Sequence, residues 1–339
     1  MANENLFRLP QMGVGTMLWL PNEKFTQQDI QNVFQACIAN GLNFFDTAEI
    51  YGNGASEEIL GKCLKCSNEE IYIADKFAPP SKMNPLTQKR HSVKKDNPKA
   101  LLEALDGSLR RLGVECIDLY QMHMPPQNNR IEEYMHYMAD ALRAGKIRAV
   151  GVCNFNAAQI KRASNALKSE GYSLTSAMVG YNVIRRYPET NGVFDICEKE
   201  NISIIPYAPL AEGTLTGKYR GGKKVPIQYA VTSYFGHLDL TKERNDGIPF
   251  VKRLFSKPRE SDIKRMEPLM EVMEKIAAAH EKTIAQVALN WLVTQERVKV
   301  VPIPGVRSVK QATDNAGALG WNLTEEERAA INHIEEITR

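Results

Sequence analysis

The sequence predicts an α/β fold, a single-domain (β/α)8 (TIM) barrel over residues 1–339 with long loops at the carboxyl ends of its strands. Eight short apolar runs alternate with helical patterns, which implies a parallel sheet with right-handed crossovers. Eight such units favour closure into a barrel. The rival fold, an open dinucleotide-binding sheet, requires Gly-x-Gly-x-x-Gly after its first strand, and the run from Gly13 to Met17 lacks the third glycine and the following helix.

The predicted strands are rich in β-branched and aromatic residues, as is typical of strands that are buried on both faces. They cover residues 12–17, 42–47, 70–76, 117–123, 147–154, 176–181, 202–207 and 298–303.

The helices between the strands carry their own start and stop signals. Thr26 can cap a helix that Gly41 ends, and Asn97 marks the start of a helix that Gly113 ends. Five leucines between positions 101 and 112 form one apolar stripe on that helix. A capping box at residues 324–327 opens the last helix.

Two connections, residues 77–97 and 209–261, are unusually long. Long loops in a compact domain are usually functional, and in a barrel both would rise at the carboxyl ends of strands, where active sites lie. The six basic residues between Lys82 and Lys95 could attract an anionic substrate, although a solvated loop is the more ordinary interpretation.

Composition narrows the class of protein. With 43% hydrophobic residues, 24% charged residues and a net charge of +3, the chain is globular and shows no charge excess that would favour nucleic acid or an anionic membrane. No run of eighteen apolar residues predicts membrane insertion, and the polar start lacks a signal region. Six scattered cysteines favour a cytoplasmic protein. Cys63 and Cys66 have no second pair to complete a zinc site, so no metal is expected, and two helix residues explain them better than a redox pair.

Reactive side chains end three consecutive predicted strands. Asp46, Lys76 and His123 close theirs, and Tyr51 follows Asp46 in the next loop. In a barrel all four would meet at one mouth, and an unpaired lysine at the end of an apolar strand would be costly to bury. The sequence therefore predicts one site at this mouth.

These four residue types suit carbonyl reduction. Hydride transfer to a carbonyl leaves an alkoxide that needs a proton, and a free tyrosine, with a pKa of about 10, is too weak an acid for this task near neutrality. We expect Lys76 to lower the pKa of Tyr51, Asp46 to pair with Lys76, and His123 to orient the substrate oxygen.

Over nearly its full length the sequence resembles the aldo-keto reductases. The matching segments are DTAEIYGNGASEEILG, the strand that ends at Lys76, DLYQMH, GVCNFN, YNVIRR, YAPLAEGTLTGKY and VPIPGVRSVKQATDNAGALGW. The resemblance implies a (β/α)8 barrel that binds NAD(P)H, here NADPH, without a separate dinucleotide-binding domain. It also implies a catalytic tetrad of Asp46, Tyr51, Lys76 and His123.

The resemblance further implies cofactor contacts, with Tyr207 stacking on the nicotinamide, Asn154 bonding the carboxamide, residues 210–218 covering the pyrophosphate and residues 305–315 holding the adenosine end. A helix predicted over residues 308–319 would present an anion-binding N-terminus, and Arg307 offers a fork for the 2′-phosphate. The complete set is Gly15, Thr16, Met17, Asp46, Cys153, Asn154, Met178, Tyr207, Ala208, Pro209, Leu210, Gly213, Leu215, Lys218, Pro304, Gly305, Arg307, Ser308, Gln311, Asp314 and Asn315.

Two positions depart from the family pattern. Cys153 replaces a usual serine and Met178 a usual glutamine, and methionine cannot donate an amide hydrogen bond to the carboxamide. Similarity of position assigns the substrate pocket to Trp19, Tyr51, Phe77, His123 and the loop around residues 229–235. The branch most similar in its tail segments contains pyridoxal reductases, which makes pyridoxal or another small aldehyde a candidate substrate.

Two alternatives remain open. Lys76 could form a Schiff base with a carbonyl substrate in a lyase or aldolase. Some family members are channel-associated subunits that keep the tetrad but turn over slowly. The sequence does not determine an oligomeric state.

Overall fold

The computed structural model describes residues 7–79, 97–126, 129–220 and 266–338. Its sheet has seven parallel strands whose order in the sheet follows their order in the chain. They are β1 (Val14–Gly15), β2 (Phe44–Asp46), β3 (Tyr72–Phe77), β4 (Ile117–Met122), β5 (Ile147–Cys153), β6 (Leu174–Gly180) and β7 (Ser203–Tyr207). Each overlaps a predicted strand, which confirms the first seven of the eight.

The eighth predicted strand, residues 298–303, does not form a regular strand, but its backbone pairs irregularly with both neighbouring strands. On one side the N–H of Val301 donates to Ile204 O of β7 at 2.8 Å, and on the other Gly13 N–H donates to Pro302 O at 3.0 Å. A proline has no N–H, so Pro302 can accept from β1 but cannot donate, and no regular ladder forms. The segment still joins the two edges of the sheet, which closes as the predicted (β/α)8 barrel.

Helices surround this sheet. Within the described residues they are α1 (Gln27–Ala39), α2 (Ala55–Leu64), α3 (Ala100–Leu112), α4 (Ile131–Arg143), α5 (Ala157–Ser169), α6 (Val193–Glu200), α7 (Glu267–Ala279), α8 (Ile284–Val293), α9 (Val309–Ala316) and α10 (Glu325–Thr338). No helix in these ranges is long and apolar enough to cross a membrane.

The structure confirms most of the predicted helix ends. Thr26 caps α1 in a capping box, Gly113 ends α3 with a φ of +70°, and the box at residues 324–327 forms. The start of α3 differs, because regular helix begins at Ala100 and Asn97 instead accepts from the backbone of Lys99 in the turn before it. The helix predicted over residues 308–319 is α9, which ends at Ala316.

The core forms two clusters on opposite faces of the strands. The larger lies between sheet and helices and includes the leucine stripe of α3. The smaller fills the barrel with alternate strand residues such as Phe44, Leu119 and Ile205. The chain before β1 seals one end of the barrel, where the ring of Phe7 lies 5.4 Å from that of Tyr72 at the start of β3. Polar side chains that face the barrel interior near the carboxyl ends of the strands therefore lie above a layer of apolar side chains.

Candidate active site

A buried ion pair occupies the carboxyl ends of β2 and β3 inside the barrel. Lys76 Nζ lies 2.5 Å from Asp46 Oδ1 and donates to the carbonyl of Thr47 at 2.6 Å. Both side chains are almost completely buried. Burial, the largest single effect, lowers the pKa of Lys76, but the Asp46 carboxylate together with Tyr51 and Cys153 more than offsets it, so the pKa is raised overall. Burial raises the pKa of Asp46, and Lys76 opposes that change. The cation predicted at this strand end is therefore held charged by a partner.

Tyr51 and His123 lie beside this pair. Lys76 Nζ is 5.1 Å from the centroid of the Tyr51 ring, and the Tyr51 and His123 rings meet edge to face with centroids 5.9 Å apart. The structure thus brings together all four residues that the sequence placed at one mouth. Burial, reinforced by the Lys76 cation, lowers the pKa of His123 to about 3, so this imidazole is neutral at ordinary pH.

The pKa of Tyr51 differs from the sequence-based expectation. Lys76 lowers it, as expected, but desolvation is the larger effect and raises the pKa to about 12. The phenol is therefore fully protonated at neutral pH.

Two glutamates that sequence reasoning missed fasten the segment around Tyr51 to the end of β3 and to α3. Glu49 accepts a hydrogen bond from the backbone of Ala78 at 2.8 Å. Burial raises the pKa of Glu49 to about 7. At the start of α2, the fully buried Glu57 receives two hydrogen bonds from Arg111, at 2.7 and 3.0 Å. The available signal was three acidic residues close together in one short segment of sequence, before and after Tyr51.

Gln121 is a third residue that sequence reasoning missed. It lies inside the barrel on β4 and is completely buried, and its Nε2 donates to Asp46 Oδ2 at 3.3 Å. Its Oε1 accepts from the thiol of Cys153 at 3.7 Å. The signal was an amide two residues before His123 in the same strand, which places it on the same strand face as that histidine.

The residues assigned to the nicotinamide end lie at the carboxyl ends of β5, β6 and β7. Asn154 has a φ of +61°, and its Nδ2 donates to His123 O at 3.0 Å, so its amide hydrogens join β5 to β4. Met178 is buried opposite Cys153 in the register of β5 and β6. The ring of Tyr207 lies 5.7 Å from the guanidinium carbon of Arg185.

The segment assigned to the pyrophosphate has unusual backbone geometry. Ala208, Ala211 and Glu212 have φ values of +52°, +46° and +52°. Left-handed conformations cost about 1 to 3 kcal/mol for residues other than glycine, and they cluster at ligand-binding segments. Gly213 has a φ of +91°, a conformation that residues with a side chain rarely adopt, so this backbone position favours glycine.

The residues assigned to the adenosine end lie on α9 and in the segment before it. Ser308 caps the helix, and Gln311 Oε1 accepts from the backbone of Arg307 at 2.7 Å. The buried Nε of Arg307 and Nδ2 of Asn315 have no hydrogen-bond partner within the described part of the chain. A Cβ on Gly305 would meet nothing within 4 Å. Unsatisfied buried donors beside open space fit an anionic nucleotide group.

The other residues assigned to cofactor binding lie at the end of β1, on α9 and in the segment after β7. Gly15 pairs with Gly305, and Thr16 Oγ1 donates to the carbonyl of Asp46 at 3.0 Å, which ties the end of β1 to that of β2. Met17 is half exposed. Asp314 forms an ion pair with Lys310 on α9. Pro209 and Leu215 are buried, whereas Lys218 is exposed.

Two residues assigned to the substrate pocket are parts of the core. Trp19 has no exposed surface, and its indole N–H donates to Val306 O at 2.8 Å. Phe77 is 5% exposed and packs on Tyr134. The position of Trp19 therefore does not support its assignment as a pocket wall, because a tryptophan whose N–H has a buried partner packs best inside. The basic run and the loop around residues 229–235 lie outside the described residues.

The two cysteines of the Cys63–Cys66 pair lie at the end of α2. Cys63 lies in α2, Cys66 lies two residues beyond its end, and neither forms a disulfide. Among the described residues no cluster of histidine, cysteine and acidic side chains could hold a metal ion.

Comparison with known proteins identifies the family. The model of the Aldo/keto reductase family matches residues 11–336, so the chain belongs to this family of oxidoreductases. It is 31% identical to a chloroplastic pyridoxal reductase from Arabidopsis thaliana, over 95% of this chain and 82% of that protein. It is 32% identical to aldo-keto reductase yakc from Schizosaccharomyces pombe, whose name specifies NADP(+), over 97% of this chain and 88% of the other.

Solved structures agree on the fold. A glycerol dehydrogenase from Gluconobacter oxydans superposes with a TM-score of 0.74 at 27% identity, over 96% of this chain and 91% of the other. An aldo/keto reductase from Klebsiella pneumoniae in complex with NADP and acetate superposes with a TM-score of 0.68 at 23% identity, over 96% and 91% of the two chains.

Proposed function

We propose that this protein reduces the carbonyl group of a small aldehyde or ketone to an alcohol with NADPH, using Tyr51 as the general acid. The observation that carries the proposal is the buried cluster in which Lys76 contacts Asp46 and lies beside a Tyr51 ring that meets His123 edge to face. The cofactor named for the yeast relative is NADP(+), in agreement with this reaction.

Residues of this chain that suit NADPH lie on both sides of the cluster. Arg307, with its unsatisfied Nε, would hold the 2′-phosphate, and Tyr207 would support the nicotinamide. The glycine at position 213 and its left-handed neighbours would follow the pyrophosphate. NADPH, when bound, supplies the hydride that reaches the carbonyl carbon.

The Tyr51 hydroxyl gives its proton to the carbonyl oxygen as negative charge develops there. Because the pKa of Tyr51 is about 12, the resting group carries its proton. Transfer of that proton leaves a phenolate, which the fixed Lys76 cation stabilises without any reorganisation of solvent. Asp46 keeps the ammonium charged and in place, since it raises the pKa of Lys76.

His123 acts as a neutral hydrogen-bond donor to the same carbonyl oxygen. With a pKa of about 3 it remains uncharged at the pH of turnover, so Lys76 supplies the positive charge. Its Nδ1 is buried without a hydrogen-bond partner among the residues that the structure describes. A neutral imidazole orients the carbonyl and leaves the proton transfer to Tyr51.

The substrate that we propose is an aromatic aldehyde such as pyridoxal. This rests on the 31% identity to a pyridoxal reductase that covers 95% of this chain. A Schiff-base mechanism is disfavoured, because Lys76 is fully buried in an ion pair that raises its pKa, whereas an amine nucleophile must lose its proton. No observation among the described residues favours the role of a slow, channel-associated subunit.

The test compares wild-type protein with Tyr51→Phe, using loss of NADPH absorbance with a panel of aldehydes and ketones that includes pyridoxal. We expect kcat to fall about a hundredfold or more, the usual contribution of a general acid. NADPH affinity, measured by fluorescence titration, stays unchanged. Tyr172→Phe, which lies away from the cluster, is the matched control. A Tyr51→Phe variant with near-normal kcat would refute the acid role.

A further inference from the structure

Gln121 connects the buried ion pair to the neighbouring strand. In the parallel register of the sheet it stands opposite Lys76 on β3 and Gly151 on β5. Its side chain reaches Asp46 with one end of the amide and Cys153 with the other. A single uncharged side chain thus joins the carboxylate that holds Lys76 to the cysteine at the end of β5.

The two contacts fix which way the amide points. A carboxylate only accepts hydrogen bonds, so Asp46 Oδ2 must receive the N–H of Gln121. The thiol of Cys153 carries a proton, because burial raises its pKa, and it therefore donates to Gln121 Oε1. Reversing the amide would set two acceptors against each other at Asp46 and leave the thiol without an acceptor at Gln121.

The backbone leaves room for this connection. A Cβ on Gly151 would lie 2.9 Å from Cγ of Gln121 and 2.3 Å from Oγ of Ser176. The pairing of β5 with β6 also shifts register next to this glycine. A side chain at position 151 would push Gln121 away from its place across the barrel.

We infer that Gln121 is a positioning residue for the proposed reduction: it holds the Asp46 carboxylate in the orientation that keeps Lys76 against Tyr51, and Cys153 orients its amide. The inference rests on the proposed function. Asp46 is faced by Lys76 from β3, by Gln121 from β4, by the thiol of Cys153 and by the phenol of Tyr51.

The physical reason is the second oxygen of Asp46. Lys76 donates to Oδ1 of Asp46 and Gln121 donates to Oδ2. If the Gln121 amide were removed, Oδ2 would become a buried acceptor that has lost this donor. Such a carboxylate takes up a proton more readily. A protonated Asp46 no longer fixes the ammonium, and Tyr51 then loses the cation that stabilises its phenolate.

The test uses Gln121→Met, which keeps the length of the side chain and removes the amide. We expect kcat to fall about tenfold or more, as for a lost hydrogen bond to a charged group, with KM and NADPH affinity unchanged. The acid limb of the pH profile of kcat moves to higher pH, because Asp46 becomes protonated at a higher pH. Cys153→Ala moves kcat in the same direction by a smaller factor.

Leu119→Met is the matched control, since it changes the same strand inside the barrel without touching a polar group. It should keep wild-type kcat and pH profile. A folded Gln121→Met variant with the wild-type kcat and profile would overturn the inference.

A measurement of unfolding separates this inference from the proposed function. Chemical denaturation of Gln121→Met, Asp46→Asn and the double variant should show non-additive changes in the free energy of unfolding if the contact between these residues is energetically real. Additive changes would overturn the inference. If wild-type protein reduces no carbonyl compound, the proposed function fails, and this cycle still decides whether Gln121 positions Asp46.

Discussion

Replacing Lys76 with methionine should destabilise the protein by an amount that depends on pH. Methionine fills the space of the lysine stem, so the main change is a completely buried Asp46 that has lost its cation. Breaking a buried pair in this way usually costs about 3 to 5 kcal/mol. Asp46 can limit the cost by taking up a proton. For a carboxyl whose ordinary pKa is 3.8, this costs about 4 kcal/mol at pH 7 and about 1.5 kcal/mol at pH 5.

The direction of this pH dependence follows from the proton that Asp46 binds more tightly in the folded variant than in the unfolded chain. In the variant the pKa of Asp46 is raised above that of the unfolded chain, so stability is greatest below pH 3.8 and is lost as the pH rises. The free energy of unfolding, measured by urea denaturation from pH 5 to pH 8, should therefore diverge from wild type by about 1.4 kcal/mol per pH unit until Asp46 ionises. The double variant Lys76→Met/Asp46→Asn removes the charge and should recover most of the loss. A loss that is independent of pH, or a double variant no more stable than the single one, would contradict the buried ion pair.

Two further outcomes are expected. Arg307→Ala should weaken NADPH binding by about ten- to a hundredfold and leave NADH binding nearly unchanged, because only NADPH carries the 2′-phosphate. Lys310→Ala is the control. Equal losses of affinity for both cofactors would contradict the assignment of Arg307 to the 2′-phosphate. Burial raises the pKa of Glu49 from 4.5 to about 7, so its contribution to stability is present below pH 4.5 and is lost as the pH rises towards 7. Glu49→Gln should remove up to about 3 kcal/mol of this pH dependence from the unfolding free energy, whereas an unchanged profile would show that Glu49 does not titrate in this range.

The architecture was accessible from the sequence because its signals are local. Buried parallel strands appear as short apolar runs, and helix ends as caps such as Thr26 and Gly113, so each element could be identified without knowledge of its neighbours. The eighth strand shows the limit of this approach. Its apolar run predicted a strand, but Pro302 prevents regular pairing, and only the hydrogen bonds to β1 and β7 show that the barrel closes there.

The position of Trp19 shows a second limit. Trp19 was assigned by similarity of position, yet the backbone carbonyl that receives its N–H belongs to Val306, which is 287 residues away in the chain. Which surface a large aromatic ring covers depends on such distant partners. Asp46, Lys76 and His123 avoid this difficulty, because the ends of parallel strands meet at one edge of the sheet.

The sequence by itself determined the fold and the set of four reactive side chains at one rim, since strand periodicity and strand ends fix these features, and its motifs carried the family resemblance. Only the tertiary structure decided the electrostatics. Burial of Tyr51 away from water raises its pKa to about 12, because this effect is larger than the lowering caused by the Lys76 cation. The structure also supplied Gln121 and Glu49, whose roles arise from contacts across the barrel and between loops. Desolvation and non-local hydrogen bonds depend on the folded arrangement of many residues, and no local pattern encodes them.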